Sequence, residues 1–389
     1  MFSETMLVFR EYGAMEGNMK AIFVGNTGFS LYHFRLPLMK ELMREGWEVV
    51  AIAKDEGDFR KIFNEQGFHF ISVPIDHKGQ NPIKDLMLTI ALTNLYMTER
   101  PFLVHHFTIK PVIFGSLAAK CARVPTIVNT ITGLGYTFEK PGLVHALVIL
   151  LYRLALSGKP KLIFQNGDDL GLFVRKGIGG GQRFLIKGSG VDSERIRPVP
   201  KAGGSRHVTF LLVGRMLWSK GIREFEQAAA IVKERFPDAS FLMIGGHSGG
   251  GAEAGPDAVP LEWLKELSRR GTLKWYGRVP FDEVLHLMNE ADVIVLPSYR
   301  EGLPRSLLDA AAKAKPIITT DVPGCREVVV NGFNGFLVPV KNSTKLAECM
   351  VRFIKEPELI SKMGAKSRER AETIFDDQIV IQKTLQVYN

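Results

Sequence analysis

Short apolar runs alternate with amphipathic stretches along nearly the whole chain, and no other feature restricts its fold as strongly. Apolar runs bounded by Gly or Pro are typical of buried strands, and apolar residues recurring every three or four positions are typical of helices. The predicted strands are AIFVG (21–25), WEVVAIA (47–53), FLVHHF (102–107), PTIVNT (125–130), VTFLLVG (208–214), SFLMIG (240–245), DVIVLP (292–297) and KPIITT (315–320). The predicted helices are 36–46, which Gly46 ends, 222–235 and 304–314. Strand–helix–strand alternation implies right-handed crossovers and therefore parallel sheets.

The Pro- and Gly-rich segment RPVPKAGGSR divides this alternation into two halves. A chain of 389 residues is too long for one ordinary core at roughly 150 residues per domain, so we predict an α/β fold of two Rossmann-like domains. Ligands of parallel sheets bind beyond the carboxyl ends of the strands, and we expect the two domains to face each other across a cleft. The predicted segments are an N-terminal extension (1–18), a first domain (19–196), a linker (197–206), a second domain (207–372) and a C-terminal helix (373–389). Residues 1–18 are interpreted either as sequence upstream of a start at Met19 or as a flexible arm.

The charge balance favours anionic partners. Fifty Lys and Arg stand against 41 Asp and Glu, a net charge of +9, which suits an anionic ligand or an anionic membrane surface. No run of five or six like charges occurs, so we do not expect nucleic acid as a partner. Three cysteines are too few for a disulfide framework, and residues 1–19 lack the apolar core of a secretory signal. We therefore predict a cytoplasmic protein, either soluble or peripheral on the membrane.

The longest apolar stretch is LVHALVILLYRLAL (143–156). It is shorter than the about 20 residues that a membrane span requires and is interrupted by His145 and Arg153. Two interpretations remain open, a buried core helix and an interfacial helix followed by the basic Lys159 and Lys161.

Several catalytic motifs are excluded by their context. GHSGG (246–250) matches G-x-S-x-G, but the following GAEAGPDAVP cannot begin the helix that a nucleophile elbow requires. GGGAEA (249–254) fails as a dinucleotide-binding motif for the same reason, and no P-loop motif occurs. No D-x-D and no chelating cluster is present, so we expect no metal and no cofactor. His105 and His106 are adjacent on a predicted strand and should point to opposite faces.

Two cations follow the strand at 208–214. In GRMLWSKG (214–221), Arg215 and Lys220 lie beside two glycines and directly before a helix. Backbone N–H groups, a helix N-terminus and two positive charges suit a diphosphate. The alternative is that both side chains are simply solvated loop residues.

Two acids follow the strand at 292–297. Glu301 lies in the loop SYREGLP, where Pro304 is predicted as an early helical residue, and Asp309 lies inside the next helix. A carboxylate at this end of a sheet suits a vicinal diol such as ribose. The alternative for Asp309 is an i,i+4 ion pair with Arg305.

Glu301-x7-Asp309, followed by TTDVPGCRE, resembles the E-x7-E signature of glycosyltransferase family 4, whose members are retaining enzymes of the GT-B fold. The resemblance covers residues 20–380. The segments HFTIKP (106–111), NTITGLGY (129–136), FQNGDDL (164–170) and GSGVD (188–192) are similar to bacterial enzymes that add an N-acetylhexosamine such as N-acetylgalactosamine to an undecaprenyl-diphosphate-linked sugar.

The resemblance implies a role for each matching residue. Arg215 and Lys220 would hold the donor diphosphate without a metal, Glu301 would lie beside the donor sugar, and Asp309 would take the ribose hydroxyls. The remaining donor contacts that it implies are Gly302, Leu303 and Pro304 from this domain and Gly25, Asn26 and Gly28 from the other. It also implies that the C-terminal helix packs back on the first domain.

The sequence departs from the family pattern at several positions. Asp309 is one methylene shorter than the usual Glu. Family members often carry H-x-H and T-x-H-G where this chain has His105-His106 and Thr130-Ile131-Thr132-Gly133. One of the two histidines is expected near the reacting centre, with a core histidine as the alternative. Lys110 and Thr132 are candidate acceptor contacts, and Lys110 would face either an acceptor diphosphate or solvent.

The resemblance, taken with these residues, implies a retaining hexosyltransferase. It would move an N-acetylhexosamine from a UDP-sugar to a lipid-linked saccharide in surface-glycan or glycoprotein-glycan assembly, on the cytoplasmic face of the inner membrane. The alternatives are an enzyme like the UDP-sugar 2-epimerases on the same scaffold, and a nucleotide-sugar-binding protein without transferase activity.

Overall fold

The computed structural model describes residues 19–76, 79, 81–134, 142–199, 207–247 and 256–389. These residues form two units, each built on one sheet. Unit 1 comprises the described residues up to Ile186 together with Ile381–Asn389, and unit 2 comprises Lys187–Val380. The predicted N-terminal extension lies outside the described residues, as do most of the predicted linker and the residues from 248 onward of the two glycine-rich motifs.

Unit 1 has a seven-stranded parallel sheet with the order β3-β2-β1-β4-β5-β6-β7. Its strands are β1 (Lys20–Thr27), β2 (Glu48–Lys54), β3 (His69–Ser72), β4 (Leu103–Phe107), β5 (Thr126–Ile131), β6 (Lys161–Phe164) and β7 (Arg183–Leu185). Its helices are α1 (Gly28–Arg44), α2 (Phe59–Glu65), α3 (Pro82–Glu99), α4 (Ser116–Cys121), α5 (Leu143–Ala155) and α6 (Gly167–Arg175). The order reverses direction after β3, so right-handed crossovers place α1 and α2 on one face and α3 to α6 on the other.

Unit 2 has a six-stranded parallel sheet with the order β10-β9-β8-β11-β12-β13. Its strands are β8 (Thr209–Val213), β9 (Ser240–Ile244), β10 (Lys274–Trp275), β11 (Val293–Leu296), β12 (Ile317–Thr320) and β13 (Gly335–Val338). The helices from here to the C-terminus are α7 (Ile222–Lys233), α8 (Leu261–Arg269), α9 (Phe281–Glu290), α10 (Arg305–Ala312), α11 (Pro323–Val328), α12 (Ser343–Lys355), α13 (Glu358–Thr373) and α14 (Asp377–Tyr388). The predicted fold class is confirmed, since both sheets are parallel and covered by helices.

The sequence GNTGFS (25–30) after the first strand is typical of a loop, and that prediction is wrong. β1 continues to Thr27, and α1 begins at the next residue because the Thr27 hydroxyl accepts the backbone N–H of Ser30 and caps the helix. The helix therefore starts eight residues before the predicted position and carries Pro37 in its interior. Its predicted end is confirmed: Gly46 has φ +88°, and its N–H donates to the carbonyl of Met43.

The division between the units falls before the predicted linker. Residues 187–196, which were predicted to end the first domain, belong to unit 2. Val191 forms a bridge with Asp376, and Ile196 is buried in the apolar core of unit 2. The guanidinium of Arg368 also donates to the carbonyls of Ser193 and Ile196. These contacts, rather than the composition of the segment, decide where the units divide.

The apolar stretch at 143–156 forms a helix with two different faces. Ile149, Tyr152 and Ala155 of α5 are buried in unit 1, whereas Leu147 and Leu154 are more than half exposed. Across the residues that the structure describes, no helix combines the length and apolarity that crossing a bilayer requires.

Candidate active site

The loops at the carboxyl edge of the unit 2 sheet hold most of the predicted site. The loop after β8 passes through a single turn of 3₁₀ helix at Trp218–Lys220 and enters α7 through Gly221. Gly221 has φ +73°, and a Cβ there would lie 2.7 Å from the carbonyl carbon of Pro297. Only glycine fits this position, so the loops after β8 and β11 are held against each other.

A buried ion pair joins these two loops. The Lys220 ammonium donates to Oε1 of Glu301, with side chains only 18% and 10% exposed. Ser298, the second residue beyond β11, donates its hydroxyl to the same Oε1 at 2.7 Å or to the Ser219 carbonyl at 3.1 Å. One carboxylate therefore receives two donors, which fix its position at the edge of the sheet.

The backbone behind Glu301 is equally constrained. A Cβ on Gly324 in α11 would lie 2.5 Å from the carbonyl carbon of Gly302 and 2.9 Å from the backbone carbonyl oxygen of Glu301. Burial and the Glu301 carboxylate raise the pKa of the neighbouring Cys325 thiol to about 12, so the thiol remains neutral. Helix α11 is thus packed directly under the loop that presents Glu301.

The structure places Leu303 and Pro304 slightly differently from the sequence prediction. Pro304 precedes α10 with an extended backbone (ψ 119°) instead of forming part of the helix. Leu303 packs against Gly188 of the GSGVD segment, where a Cβ would lie 2.7 Å from the leucine side chain. The 188–192 segment therefore supports the Glu301 loop from within unit 2.

Arg215 is the exposed cation of this edge. Its guanidinium makes no hydrogen bond or ion pair with any other residue in the described ranges. Arg215 therefore differs from Lys220, which is already paired, and it is available to an anionic ligand from solvent.

Asp309 adopts the arrangement that was the alternative to ribose binding. Arg305 donates its Nε to Oδ1 of Asp309 at 2.8 Å, and the aspartate side chain is only 5% exposed. Burial raises the pKa of the carboxyl, and the arginine opposes that shift. A ligand would have to displace Arg305 to reach this carboxylate.

The glycines predicted from the first domain lie at the end of β1. A Cβ on Gly25 would lie 2.8 Å from the Leu31 side chain, and one on Gly28 would lie 2.9 Å from the Phe59 ring. Both glycines therefore serve packing inside unit 1. Between them, the side-chain oxygen of Asn26 is buried and has no hydrogen-bond partner among the described residues.

His105 and His106 point to opposite faces of β4, as predicted, but both are buried. His105 bonds the hydroxyls of Tyr388 and Thr130 at 2.7 Å each, and His106 bonds Tyr96 and Asn129 at 3.0 Å each. Burial, with the charge of Arg35, holds the pKa of His105 well below its usual value, and burial lowers the pKa of His106 to about 4. Both imidazoles are therefore neutral core groups with occupied nitrogens, which matches the core histidine that the sequence left open as the alternative.

The candidate acceptor residues lie after β4 and β5. Thr108 has φ +69°, a strained value for a β-branched residue, and precedes a π-helical turn at Pro111–Gly115. Lys110 pairs with Asp85 of α3, with side chains 12% and 16% exposed. Thr132 is half-buried just beyond β5. Lys110 is thus largely buried and already paired with an acid, an arrangement that neither interpretation of the sequence includes.

Sequence reasoning missed Ser298 and Gly324 as parts of the site. Ser298 lies just beyond a predicted strand and three residues before the acid, a signal that was available. Gly324 lies against the Glu301 loop only because the chain folds that way, so no spacing in the sequence indicates that it belongs to the site. In the part of the chain that the structure describes, no three His, Cys, Asp or Glu residues are placed to hold a metal ion.

Comparison with known proteins gives two family matches. The family described as Glycosyl transferases group 1 matches residues 194–370, and that described as Glycosyl transferase 4-like matches residues 20–166.

Two curated relatives are similar over most of their length. The N,N′-diacetylbacillosaminyl-diphospho-undecaprenol α-1,3-N-acetylgalactosaminyltransferase of Campylobacter jejuni is 26% identical over 386 residues, which are 95% of this chain and 98% of that protein. The UDP-Gal:α-D-GlcNAc-diphosphoundecaprenol α-1,3-galactosyltransferase of Escherichia coli is 25% identical over 89% of each chain. Among solved structures, HepE of Anabaena in complex with UDP and glucose superposes with a TM-score of 0.76 at 18% identity, covering 95% of this chain and 99% of that one.

Proposed function

We propose that this chain, which belongs to the group 1 glycosyltransferases and has their GT-B fold, transfers a hexose from a UDP-sugar to an undecaprenyl-diphosphate-linked saccharide. The hexose is an N-acetylhexosamine, the anomeric configuration is retained, and the product serves bacterial glycan assembly. The Campylobacter and Escherichia relatives support the acceptor class, because both enzymes are named for an acceptor linked to diphospho-undecaprenol. The likeness to the UDP-bound HepE supports a uridine diphosphate donor.

One observation carries the proposal: the Lys220–Glu301 pair beside the exposed Arg215 at the carboxyl edge of the unit 2 sheet. A departing diphosphate gains negative charge as the sugar bond breaks, and fixed cations stabilise that charge best when they are already in place. Arg215 is accessible to the phosphates, and Lys220 is held at the same edge by Glu301. No metal is needed for this step.

The N-terminus of α7 supports the same assignment. This 12-residue helix begins at Ile222, immediately after Lys220-Gly221, and no side chain caps it. Its first backbone N–H groups and the positive end of its dipole favour an anion. We propose that the diphosphate lies between this terminus and the two cations, with Glu301, Gly302 and Leu303 beside the sugar.

The proposal assigns no proton transfer to His105 or His106. The predicted ribose contact of Asp309 remains part of the proposal, with the requirement that Arg305 releases the carboxylate when the nucleotide binds. From unit 1, Asn26 is the strongest candidate contact, because its buried amide oxygen has no partner among the described residues.

The acceptor contacts are proposed at the carboxyl edge of the unit 1 sheet, where Lys110 and Thr132 follow β4 and β5. Lys110 would exchange Asp85 for the acceptor diphosphate. We propose that the enzyme acts on the cytoplasmic face of the inner membrane, where an acceptor anchored in lipid would meet a UDP-sugar.

The test begins with nucleotide binding. We expect UDP and UDP-N-acetylhexosamines, but not GDP, ADP or NAD, to stabilise the protein by about 2.7 kcal/mol at a hundredfold excess over their dissociation constant. Lys220→Ala should remove this stabilisation, and Lys265→Ala on the exposed face of α8 should keep it.

The second step is release of UDP with and without a lipid-linked saccharide. Release that depends on the acceptor supports transfer. Release without an acceptor favours the epimerase-like alternative, and binding without any release favours a protein that only binds the nucleotide sugar.

A further inference from the structure

The helix layer formed by α3, α4, α5 and α6 on one face of unit 1 exposes an unusual amount of apolar surface. Helices α3 and α5 carry nine of the eighteen large apolar side chains that are exposed in the described parts of the chain. Contiguous apolar surface of this kind marks contact with a protein or a membrane. We call the outward side of this layer the α3–α5 face.

Helix α3 contributes one continuous row. Leu88, Leu92 and Tyr96 face the core, and on the opposite side a set of apolar residues recurs at helical spacing. This outward set, with exposures between 52% and 68%, is Ile83, Leu86, Met87, Ile90 and Met97. A helix that is apolar on both sides needs a second partner besides its own core.

Helix α5 contributes a parallel row. Its outward residues, with exposures between 47% and 55%, are Val144, Leu147, Leu150 and Leu154. The short helix α4 lies between α3 and α5 in the layer, and the Lys120 ammonium on α4 donates to the carbonyl of Leu154 at 2.8 Å. The two rows therefore flank one helix and face the same way.

Cations without acidic partners surround the end of α5. Residues 111–186 contain nine Lys and Arg against three Asp and Glu, a net +6 out of +9 for the whole chain. None of the eight cations that are described in this range forms an ion pair with a described carboxylate. Four of them are solvent-exposed near the α5 terminus: Arg153, Lys159, Arg175 and Lys176.

We propose that the α3–α5 face binds an anionic lipid bilayer, with the apolar rows of both helices in the interface and the cations at the lipid headgroups. The identification of lipid rests in part on the proposed function, because a lipid-linked acceptor requires the enzyme to reach the membrane surface. Lys and Arg suit this position, since their stems lie along apolar surface while their charges stay among phosphates.

The charge distribution argues against a second copy of the chain as the occupant. Two copies joined through this face would bring together two clusters of uncompensated cations, which repel each other. An anionic bilayer compensates both clusters and covers both apolar rows with one flat surface. The α3 row, with few charges of its own, would then enter the membrane interface beside the α5 row.

The experiment is flotation of the full chain with vesicles of phosphatidylcholine alone and with about 30% phosphatidylglycerol. We expect binding to the anionic vesicles that falls when the salt concentration rises. The double variants Leu147→Glu/Leu154→Glu and Ile83→Glu/Ile90→Glu should each reduce vesicle binding at least about tenfold. Ile231→Glu/Val340→Glu, at exposed apolar positions of unit 2 (38% and 42%), should leave it unchanged.

Charge is tested separately by Lys159→Glu/Lys176→Glu against Lys355→Glu/Lys362→Glu on unit 2. Thermal stabilisation by UDP is measured for every variant, so loss of the fold or of the donor site is distinguishable from loss of lipid binding. Absence of binding to anionic vesicles, or an α3 variant that binds as well as wild type, would overturn the proposal. Dimers that dissociate in the α3 and α5 variants without any lipid binding would overturn it in favour of self-association.

Discussion

The contact between Gly324 and the Glu301 loop gives the sharpest prediction. In Gly324→Ala, the new methyl would lie 2.5 Å from the carbonyl carbon of Gly302, whereas non-bonded carbons prefer about 3.5 Å. About 1 Å of movement is therefore needed. Helix α11 resists this movement because Cys325 and Val328 are fully buried, so the half-buried loop that carries Glu301 must yield.

A displacement of about 1 Å in a reacting group costs on the order of a hundredfold in rate, equivalent to about 2.7 kcal/mol of barrier. We expect kcat for sugar transfer to fall by about that factor, while the affinity for UDP changes less because Arg215 and Lys220 lie on the other loop. The free energy of unfolding should fall by about 1–3 kcal/mol from overpacking.

The assay is the initial rate of UDP release over a range of donor concentrations, with calorimetric binding of UDP in parallel. Gly142→Ala is the matched control, because no atom of the described residues lies within 4 Å of the added methyl and the backbone there is extended (φ 169°), a conformation that any residue adopts. A folded Gly324→Ala protein with kcat within twofold of wild type would refute the reasoning, since the position of Glu301 would then not limit the reaction.

Three further predictions follow from the same contacts. Ser298→Ala should lower kcat more than donor affinity, because it removes one of the two donors that orient the Glu301 carboxylate; equal effects on kcat and KM in steady-state kinetics would contradict this. Arg305→Ala should reduce the free energy of unfolding by about 2 kcal/mol in urea titrations, because it leaves the buried Asp309 carboxylate unpaired, although the partial exposure of the arginine moderates the loss. The pKa of His106 is about 4 in the folded chain and about 6.5 when unfolded, so its contribution of about 3 kcal/mol is complete above pH 6.5 and is lost as the pH falls towards 4. His106→Gln should remove its share of this loss and leave the share of His105, whose pKa burial also lowers, since Tyr96, Ser116 and Asn129 around His106 carry no charge at these pH values.

The sequence pattern predicts eight of the thirteen strands in the described residues, because an apolar run between glycines and prolines is a local property of a strand. The strands that it does not predict are β3, β6, β7, β10 and β13. It fails where a single contact decides, as at Thr27, whose capping hydroxyl starts α1 at Gly28 although Pro37 suggests a later start. It also fails at Ile196, which is buried in the core of unit 2 and whose carbonyl accepts from Arg368, 172 residues further along the chain. Boundaries of elements and units are set by such contacts and not by composition.

In the candidate site, too, some positions follow from the sequence pattern and others depend on contacts that only the fold creates. Glu301 and Lys220 follow strands, and the topology of a parallel sheet alone brings such loops to one edge. The fate of His106 was not predictable in this way, because its partners come from α3 and β5, 10 and 23 residues away. For Asp309, both outcomes were visible in the sequence, and only packing selects the pair with Arg305.

The discontinuity of unit 1 has a consequence for how the chain is made. His105 and its hydrogen-bond partner Tyr388 are separated by 283 residues. The Lys161 ammonium likewise donates to the carbonyl of Val387, which is synthesised 226 residues later. At a synthesis rate of about 5–20 residues per second, roughly 15–60 seconds pass between the two members of the first pair. During that interval the whole of unit 2 is produced as one continuous segment. The first sheet to emerge from the ribosome is therefore among the last parts of the protein to complete its buried hydrogen bonds.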